Sequence, residues 1–198
     1  KKLDVVHFPH FNVPVLYRKK FIVTLHDLIL FHYPTEKAST KSRWVYWLKF
    51  FAYRFVLDSA LARAKTIITV SQFTKSDIAE NYPEVLEKVV VTKEAAEPFC
   101  YIPTEGVHDI LKPYLLYVGN AYPHKNLSIF LAVAKRFSEV RFVLVGKEDF
   151  FYRALKLAVV EAGIGNVVFA GYVSDPELGG LYKNATAYVF PSLYEGFG

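Results

Sequence analysis

The chain has 198 residues, 53% of them hydrophobic and 22% charged, so it can fold into one large or two small domains and is not a disordered segment. The net charge of +5 favours anionic partners such as phosphorylated ligands or acidic lipid headgroups, and the scattered basic residues argue against nucleic acid. The lone cysteine, Cys100, excludes an intrachain disulfide, and no apolar run reaches the roughly 18 residues of a membrane-spanning helix.

Eight short β-branched and aromatic runs predict β-strands, in two sets of four. The first set is Asp4–Phe8, Phe21–Leu25, Thr66–Val70 and Val89–Thr92, and the second is Tyr114–Gly119, Arg141–Gly146, Val167–Gly171 and Ala187–Phe190. Several runs are apolar almost throughout, which is typical of strands that are buried on both faces of a parallel sheet.

Helical patterns separate these strands. Ser71 is predicted to cap a helix that runs to residue 82, and further helices are predicted at Asn126–Val140, Asp149–Gly163 and Ser174–Ala185. The aromatic segment Arg43–Leu57 is predicted to be a helix packed in the first half of the chain. Its alternative is an interfacial helix on an acidic membrane. The alternation of strands and helices predicts right-handed βαβ units and a doubly wound α/β fold.

A change of composition divides the chain. The stretch Glu94–Pro113 is rich in proline, has no clear period and precedes a new βαβ series. We therefore predict two Rossmann-like halves, residues 1–110 and 111–198. Each half has only about four strands, fewer than a complete Rossmann-like domain, so we expect the first to be truncated at its N-terminus and the second at its C-terminus.

Two loops in the second half contain candidate binding residues. In Tyr114–Leu127 a buried strand ends at Gly119, and Lys125 lies just before the predicted helix start at Asn126. A helix N-terminus beside a lysine favours phosphate, although an ordinary loop with a solvated lysine is the alternative. In Val189–Gly198 a strand leads to Glu195, whose carboxylate can accept hydrogen bonds from sugar hydroxyls; a common Glu-Gly turn is the alternative.

Other motifs are absent from the sequence. There is no GxGxxG and no GxxxxGK[ST] pattern, which argues against a dinucleotide-dependent oxidoreductase and a P-loop ATPase. The histidines lack the spacing of a metal cluster, so no metal ligand is predicted.

The two loops also resemble a known family. The sequence GNAYPHKNL (Gly119–Leu127), followed by FPSLYEGFG (Phe190–Gly198), resembles glycosyltransferase family 4, whose members have two Rossmann-like domains in the GT-B arrangement. VTLHDL (Val23–Leu28), ALARAKTIITVSQFTKSDI (Ala60–Ile78) and VVFAGYVSDPELGGLYKNATAYVFPS (Val167–Ser192) are similar to further family segments and follow in the same order.

The resemblance implies roles for individual residues. Lys125 would contact the donor diphosphate, Glu195 would bind the hydroxyls of the transferred sugar, and His26 would lie beside that sugar. The remaining implied donor-binding residues are Gly119, Asn120, Tyr172, Val173, Gly196, Phe197 and Gly198. The chain departs from the family pattern in that Asn120 stands where many members have arginine, and the second glutamate of the family's E-x7-E motif is absent.

The resemblance also implies the reaction. We expect a retaining hexosyltransferase that uses GDP-mannose or a UDP-hexose, needs neither metal nor cofactor, and acts on a glycan or lipid-linked acceptor. We expect it in the cytoplasm, with peripheral membrane contact, and we expect the 198 residues alone to be inactive. A UDP-sugar epimerase or a phosphorylase of the same architecture, and a non-catalytic sugar-nucleotide-binding module, are the alternatives.

Overall fold

The computed structural model describes residues 3–35, 43–95 and 113–198, and of Arg43 only the backbone. The chain forms two compact units. The first contains Lys1–Ala95 together with the terminal residues Glu195–Gly198, and the second contains Ala96–Tyr194. The predicted boundary near residue 110 lies outside the described residues.

The first unit contains a sheet of four parallel strands in chain order, β1 to β4. The strands are β1 (Val6–Phe8), β2 (Phe21–Leu25), β3 (Thr66–Thr69) and β4 (Val89–Val91). The helices are α1 (Ile29–His32), α2 (Arg43–Arg63) and α3 (Gln72–Asn81), and a 3-10 helix spans Pro83–Lys88. The core forms where the central strands meet α2, and there Val23, Ile67 and Leu57 are fully buried.

The second unit contains four parallel strands in the order β7-β6-β5-β8. The strands are β5 (Tyr114–Val118), β6 (Arg141–Val145), β7 (Val167–Gly171) and β8 (Ala187–Tyr188), and the helices are α4 (Ile129–Arg136), α5 (Phe150–Glu161) and α6 (Asp175–Asn184). The chain thus moves outward from β5 to β7 and then returns to the other side of β5. The strand order reverses between β5 and β8, and in open α/β sheets such a reversal marks the place where ligands bind.

Both faces of the second sheet are covered. Side chains alternate along β6: Phe142 and Leu144 pack in a cluster with Phe130 of α4, whereas Val143 and Val145 pack on the other face in a cluster with Leu181 of α6. This alternation explains why the strand is apolar throughout, and it confirms the predicted α/β class.

All eight predicted strands are present, several of them one or two residues shorter than predicted. Ser71 caps α3 by accepting the Thr74 N–H at 3.1 Å, so the predicted cap is confirmed. The helix predicted from Asp149 is also present, and the Asp149 carboxylate caps it by accepting two amide hydrogens. The aromatic helix α2 is longer than predicted and ends at Arg63, and the short helix α1 was not predicted.

The predicted helix Asn126–Val140 was wrong at both ends. Pro123–Lys125 form a 3-10 turn, Asn126 has a left-handed backbone with φ of 56°, and α4 begins only at Ile129 and ends at Arg136. A left-handed residue interrupts a right-handed helix, so the periodic pattern could not extend back to Asn126.

Candidate functional site

The loops that follow β5 and β8 are joined at the strand-order reversal. The Leu193 N–H donates to the His124 carbonyl at 2.7 Å, and the Asn126 side-chain amide donates to the Pro191 carbonyl at 3.2 Å. The sequence predicted these two loops as binding segments, and the structure brings residues 190–193 of one against residues 124–126 of the other. They form the edge at which the sheet topology places a ligand.

Lys125 lies at the centre of this edge. It is the last residue of the 3-10 turn, is half-buried, and its ammonium lies 5.1 Å from the centre of the Phe190 ring. A cation over an aromatic face is attracted by the ring quadrupole, which restricts an otherwise flexible side chain. The structure therefore holds a positive charge against the loop that follows β8.

The backbone of Gly119 and Asn120 is fixed by two tyrosines. The Tyr117 hydroxyl donates to the Asn120 carbonyl at 2.7 Å, and the Tyr152 hydroxyl donates to the Gly119 carbonyl at 2.8 Å. Burial raises the pKa of Tyr152, so this hydroxyl keeps its proton and remains a donor. Gly119 has φ of 149°, and a Cβ there would lie 2.8 Å from the Tyr117 hydroxyl, so only glycine fits.

Glycines end three neighbouring strands. The Gly119 N–H donates to the Val145 carbonyl at 2.9 Å, and the Gly146 N–H donates to the Gly171 carbonyl at 2.9 Å. Beyond them Tyr172 is exposed, whereas Val173 is buried in the core. The side chain of Tyr172 is therefore accessible to a ligand, whereas that of Val173 is not.

The amide groups at the start of α4 differ from the expected free phosphate donors. The Ile129 N–H donates to the Asn126 carbonyl at 3.2 Å, and the Phe130 N–H donates to the Leu127 carbonyl at 3.1 Å. These groups are already paired within the chain, so they are not free donors for a phosphate, and Lys125 is the charged side chain of this loop.

In the first unit, His26 follows β2 and is held from both sides. Its Nε2 lies 3.0 Å from the Pro9 carbonyl oxygen, and its Nδ1 lies 2.8 Å from a carboxylate oxygen of Glu94. Contacts on both ring nitrogens restrict the rotation of the imidazole, so the side chain of His26 is oriented at the end of β2.

The terminal residues of the chain contact this same region of the first unit. The Ser71 hydroxyl donates to the Gly196 carbonyl, and the Thr74 hydroxyl oxygen lies 3.0 Å from that carbonyl and 3.1 Å from the carbonyl of His26. Gly196 is buried, and a Cβ there would lie 2.1 Å from the His26 carbonyl oxygen. Glu195 is half-buried, whereas Phe197 and Gly198 are exposed.

The predicted site residues thus form one group in each unit. Gly119, Asn120 and Lys125 share an edge of the second unit, whereas His26 and Gly196 meet in the first. Lys125 and Glu195 belong to different units, so their predicted convergence on one ligand stays a prediction.

Three residues with supporting contacts were not singled out from the sequence: Thr74, Glu94 and Tyr152. Thr74 is part of the segment that carries the family resemblance, so a signal existed for it. Glu94 lies in the stretch without a clear period, and Tyr152 is one of many helical aromatic residues.

Two further histidines have polar contacts within the first unit. His7 lies 2.9 Å from the Thr24 hydroxyl, and His32 lies 2.7 Å from the Asp77 carboxylate, while His108 is outside the described residues. In the described ranges, no group of three or more His, Cys, Asp or Glu side chains is arranged to hold a metal ion. Within the same ranges, no helix has the length and apolar character needed to cross a membrane.

A pocket lies away from this edge, at the beginning of β6. It is lined by Ser138, Glu139, Arg141, Gly165 and Asn166. The Asn166 amide nitrogen there lies within 3.0 Å of three backbone carbonyl oxygens and shares its two hydrogens among them, which fixes the loop before β7. Because ligands of open α/β sheets bind at the carboxyl ends of strands, we do not assign this pocket to the site.

Each of the two α/β units has a sheet of four parallel strands, and this fold is that of the GT-B glycosyltransferases. The comparison with protein families agrees. Residues 1–95 match the model described as Glycosyltransferase Family 4, and residues 106–198 match the model described as Glycosyl transferases group 1. The chain belongs to glycosyltransferase family 4.

Two curated relatives are similar along almost the whole chain. The O-antigen chain mannosyltransferase RfbU of Salmonella typhimurium is 31% identical over 96% of this chain, and the O-antigen chain mannosyltransferase B of Escherichia coli is 28% identical over 98% of it. The chain spans about half the length of these relatives, 50% of the first and 52% of the second.

Solved structures share the fold at low sequence identity. Sucrose-phosphate synthase from Thermosynechococcus elongatus has a TM-score of 0.73 at 20% identity, covering 98% of this chain and 52% of its own. A glycosyltransferase from Rickettsia africae has a TM-score of 0.65 at 18% identity, covering 99% and 53% respectively. HepE of Anabaena, in complex with UDP and glucose, has a TM-score of 0.63 at 17% identity, covering 91% and 49%.

Proposed function

We propose that the protein carrying this chain is a retaining glycosyltransferase that transfers a hexose from a nucleotide-diphosphate sugar to a glycan or lipid-linked acceptor. The observation that carries the proposal is the position of Lys125 at the strand-order reversal, held over the Phe190 ring. Family membership supports the same reaction class.

The proposed chemistry assigns one task to each group. The bond between the sugar's anomeric carbon and the diphosphate oxygen breaks, and negative charge grows on the leaving diphosphate. The Lys125 ammonium contacts the diphosphate and stabilises this charge, in place of a protein-bound metal ion. The acceptor oxygen attacks on the same face of the sugar and passes its proton to the leaving phosphate. Glu195 binds the sugar hydroxyls, and His26 lies beside the sugar.

We propose GDP-mannose as the first donor to test. The two curated relatives are named mannosyltransferases, which supports mannose. A UDP-hexose is the second candidate, because the HepE structure is described as a complex with UDP and glucose.

The test uses the complete protein that carries this chain and separately labelled GDP-mannose, UDP-glucose and UDP-galactose. Transfer of label to an acceptor glycan supports the proposal. Interconversion of UDP-sugars without an acceptor would indicate the epimerase alternative, release of sugar 1-phosphate from a glycan would indicate the phosphorylase, and donor binding without turnover would indicate the binding module.

Lys125→Ala is the decisive variant in this assay. Loss of one preorganised electrostatic contact typically lowers kcat by about 10²–10³-fold. Lys135→Ala is the matched control, because it removes the same charge from an exposed position on α4. Equal activity of the two variants would contradict the role of Lys125. We also propose that the 198 residues alone transfer sugar poorly or not at all, which the same assay checks.

Peripheral membrane contact and a cytoplasmic location are part of this proposal. Helix α2 exposes a stripe of large apolar side chains at i, i+4, i+7 and i+11: Trp44 (87% exposed), Leu48 (70%), Phe51 (65%) and Phe55 (63%). An aromatic stripe of this kind is typical of a helix that lies in a membrane interface, and the net charge of +5 suits an acidic lipid surface.

The membrane proposal is tested with vesicles that contain anionic lipid. Co-sedimentation of the complete protein should fall in the double variant Leu48→Ser, Phe51→Ser. The control is Leu157→Ser, Val160→Ser, which alters two exposed apolar residues of α5 in the second unit. Neutralising Lys49 tests the electrostatic part. Unchanged vesicle binding of the α2 variants would contradict the membrane proposal.

A further inference from the structure

The first turn of α3 contacts the glycine that follows Glu195. Ser71 is the N-cap of this helix, and its hydroxyl also donates to the Gly196 carbonyl. The Thr74 hydroxyl, fully buried one turn later, lies 3.0 Å from the same carbonyl oxygen. A helix cap therefore also binds a segment that follows it by more than a hundred residues.

The number of hydrogens decides how the two hydroxyls are used. Each hydroxyl carries one hydrogen, but Thr74 lies near two acceptors, the Gly196 carbonyl and the His26 carbonyl at 3.1 Å. Because the Ser71 hydroxyl already donates to the Gly196 carbonyl, the Thr74 hydroxyl can donate to the His26 carbonyl. Together the two hydroxyls satisfy both carbonyls.

Close packing reinforces these hydrogen bonds. A Cβ on Gly196 would lie 2.1 Å from the His26 carbonyl oxygen and 2.9 Å from the Cβ of Asp27. The Gly196 backbone therefore lies directly against the end of the His26 segment, and the orientation of the preceding peptide is restricted.

We infer that Ser71 and Thr74 are positioning residues that fix the Glu195–Gly196 turn beside His26, so that the Glu195 carboxylate is oriented toward the hydroxyls of the donor sugar. This inference rests on the proposed role of Glu195. It predicts that loss of either donor hydroxyl weakens recognition of the sugar without weakening recognition of the nucleotide.

The experiment measures two affinities of the complete protein by calorimetry, one for the nucleotide sugar that it transfers and one for the matching nucleoside diphosphate. Their ratio reports the contribution of the sugar. Thr74→Val, nearly the same shape without the hydroxyl, should lower this ratio by about tenfold, the usual effect of one hydrogen bond. The nucleoside diphosphate affinity should not change, and Thr74→Ser should restore the ratio.

A second variant separates the cap from the contact. Ser71→Asp retains an N-cap acceptor for the Thr74 N–H but cannot donate to the Gly196 carbonyl. It should lower the same ratio while the helix stays capped, and it tests the inference even if Thr74→Val does not fold. Thr24→Val is the matched control, because this buried hydroxyl bonds His7 instead.

A double-mutant cycle with Glu195→Gln completes the test. If Thr74 acts through Glu195, the double variant should lose little more than Glu195→Gln alone. If Glu195→Gln lowers the ratio but neither Thr74→Val nor Ser71→Asp does, the inference is overturned and the proposed role of Glu195 stands. If Glu195→Gln itself leaves the ratio unchanged, the proposed role of Glu195 fails, and the inference fails with it.

Discussion

Gly146→Ala tests the close approach of β5 and β6 at the binding edge. In the structure a Cβ on Gly146 would lie 2.1 Å from the Gly119 carbonyl oxygen and 2.6 Å from the Tyr152 hydroxyl. Contacts of a real Cβ are essentially never shorter than 3.0 Å, so the two strand ends must move apart by roughly an ångström. The substitution therefore perturbs the backbone on which Asn120 and Lys125 depend.

The magnitude follows from the contacts that this movement weakens. The Gly119 N–H bond to the Val145 carbonyl, at 2.9 Å, and the Tyr152 hydroxyl bond to Gly119, at 2.8 Å, both cross the gap. Two hydrogen bonds at about 1 kcal/mol each, with an overpacking cost of about 1–3 kcal/mol, give a destabilisation of about 3–5 kcal/mol.

Denaturant unfolding of the complete protein measures this change, and Gly165→Ala is the matched control. No atom lies within 4 Å of the Cβ position at Gly165, so alanine there should be neutral or stabilise by up to about 1 kcal/mol. Nucleotide affinity should also fall in Gly146→Ala alone. Equal unfolding midpoints for the two alanine variants would refute the reasoning.

Three further predictions concern caps, ionisation and the His26 site. Asp149→Ala should lower the free energy of unfolding by about 1 kcal/mol, because the Asp149 carboxylate accepts two amide hydrogens. Ser128→Ala should not lower it, because Ser128 makes no side-chain cap bond. Chemical denaturation measures both changes. Burial is the main cause that raises the pKa of Tyr53, Tyr82 and Tyr152. The free energy of unfolding should therefore keep its full value below about pH 10 and fall at higher pH, because the unfolded chain loses tyrosine protons that the folded chain retains. Denaturant midpoints measured across pH 8–12 test this. Glu94→Ala should lower kcat, because the Glu94 carboxylate orients the His26 ring. It should change the free energy of unfolding by less than about 1 kcal/mol, since the pair with His26 is half-exposed. A large loss of stability with unchanged kcat would contradict the role of Glu94 in orienting His26.

The strands and most helices could be predicted because their signals are local. Asp149 as a cap with Gly163 at the other end fixes α5 almost to the residue, and β6 is buried because its sequence is apolar on both faces. The start of α4 could not be predicted in this way. Asn126 leaves the helical region with φ of 56°, and its side chain bonds Pro191, so a residue distant in sequence stabilises its backbone.

In the candidate site, too, residues with a local sequence signal could be predicted, whereas contacts between distant segments could not. Lys125 could be predicted from one loop, because a lysine before a helix at the end of a strand is itself a signal. The contacts of Thr74 with Gly196 and of Glu94 with His26 join segments far apart in sequence, and no periodic pattern encodes them. The exposed stripe of α2 was missed for a related reason, since an aromatic helix gives no local sign of which face the core covers.

The topology of the second unit explains why Lys125, rather than a helix terminus, is the centre of the proposed donor site. Because the strand order reverses between β5 and β8, the loops after these strands meet, and the Phe190 ring lies within 5.1 Å of the Lys125 ammonium. The amide hydrogens at the start of α4 are paired within the chain, and those at the start of α5 are bound by Asp149. A leaving diphosphate at this edge would therefore meet the Lys125 ammonium rather than unpaired amides of these two helices, so replacing Lys125 should cost the reaction more than replacing Ser128 or Asp149.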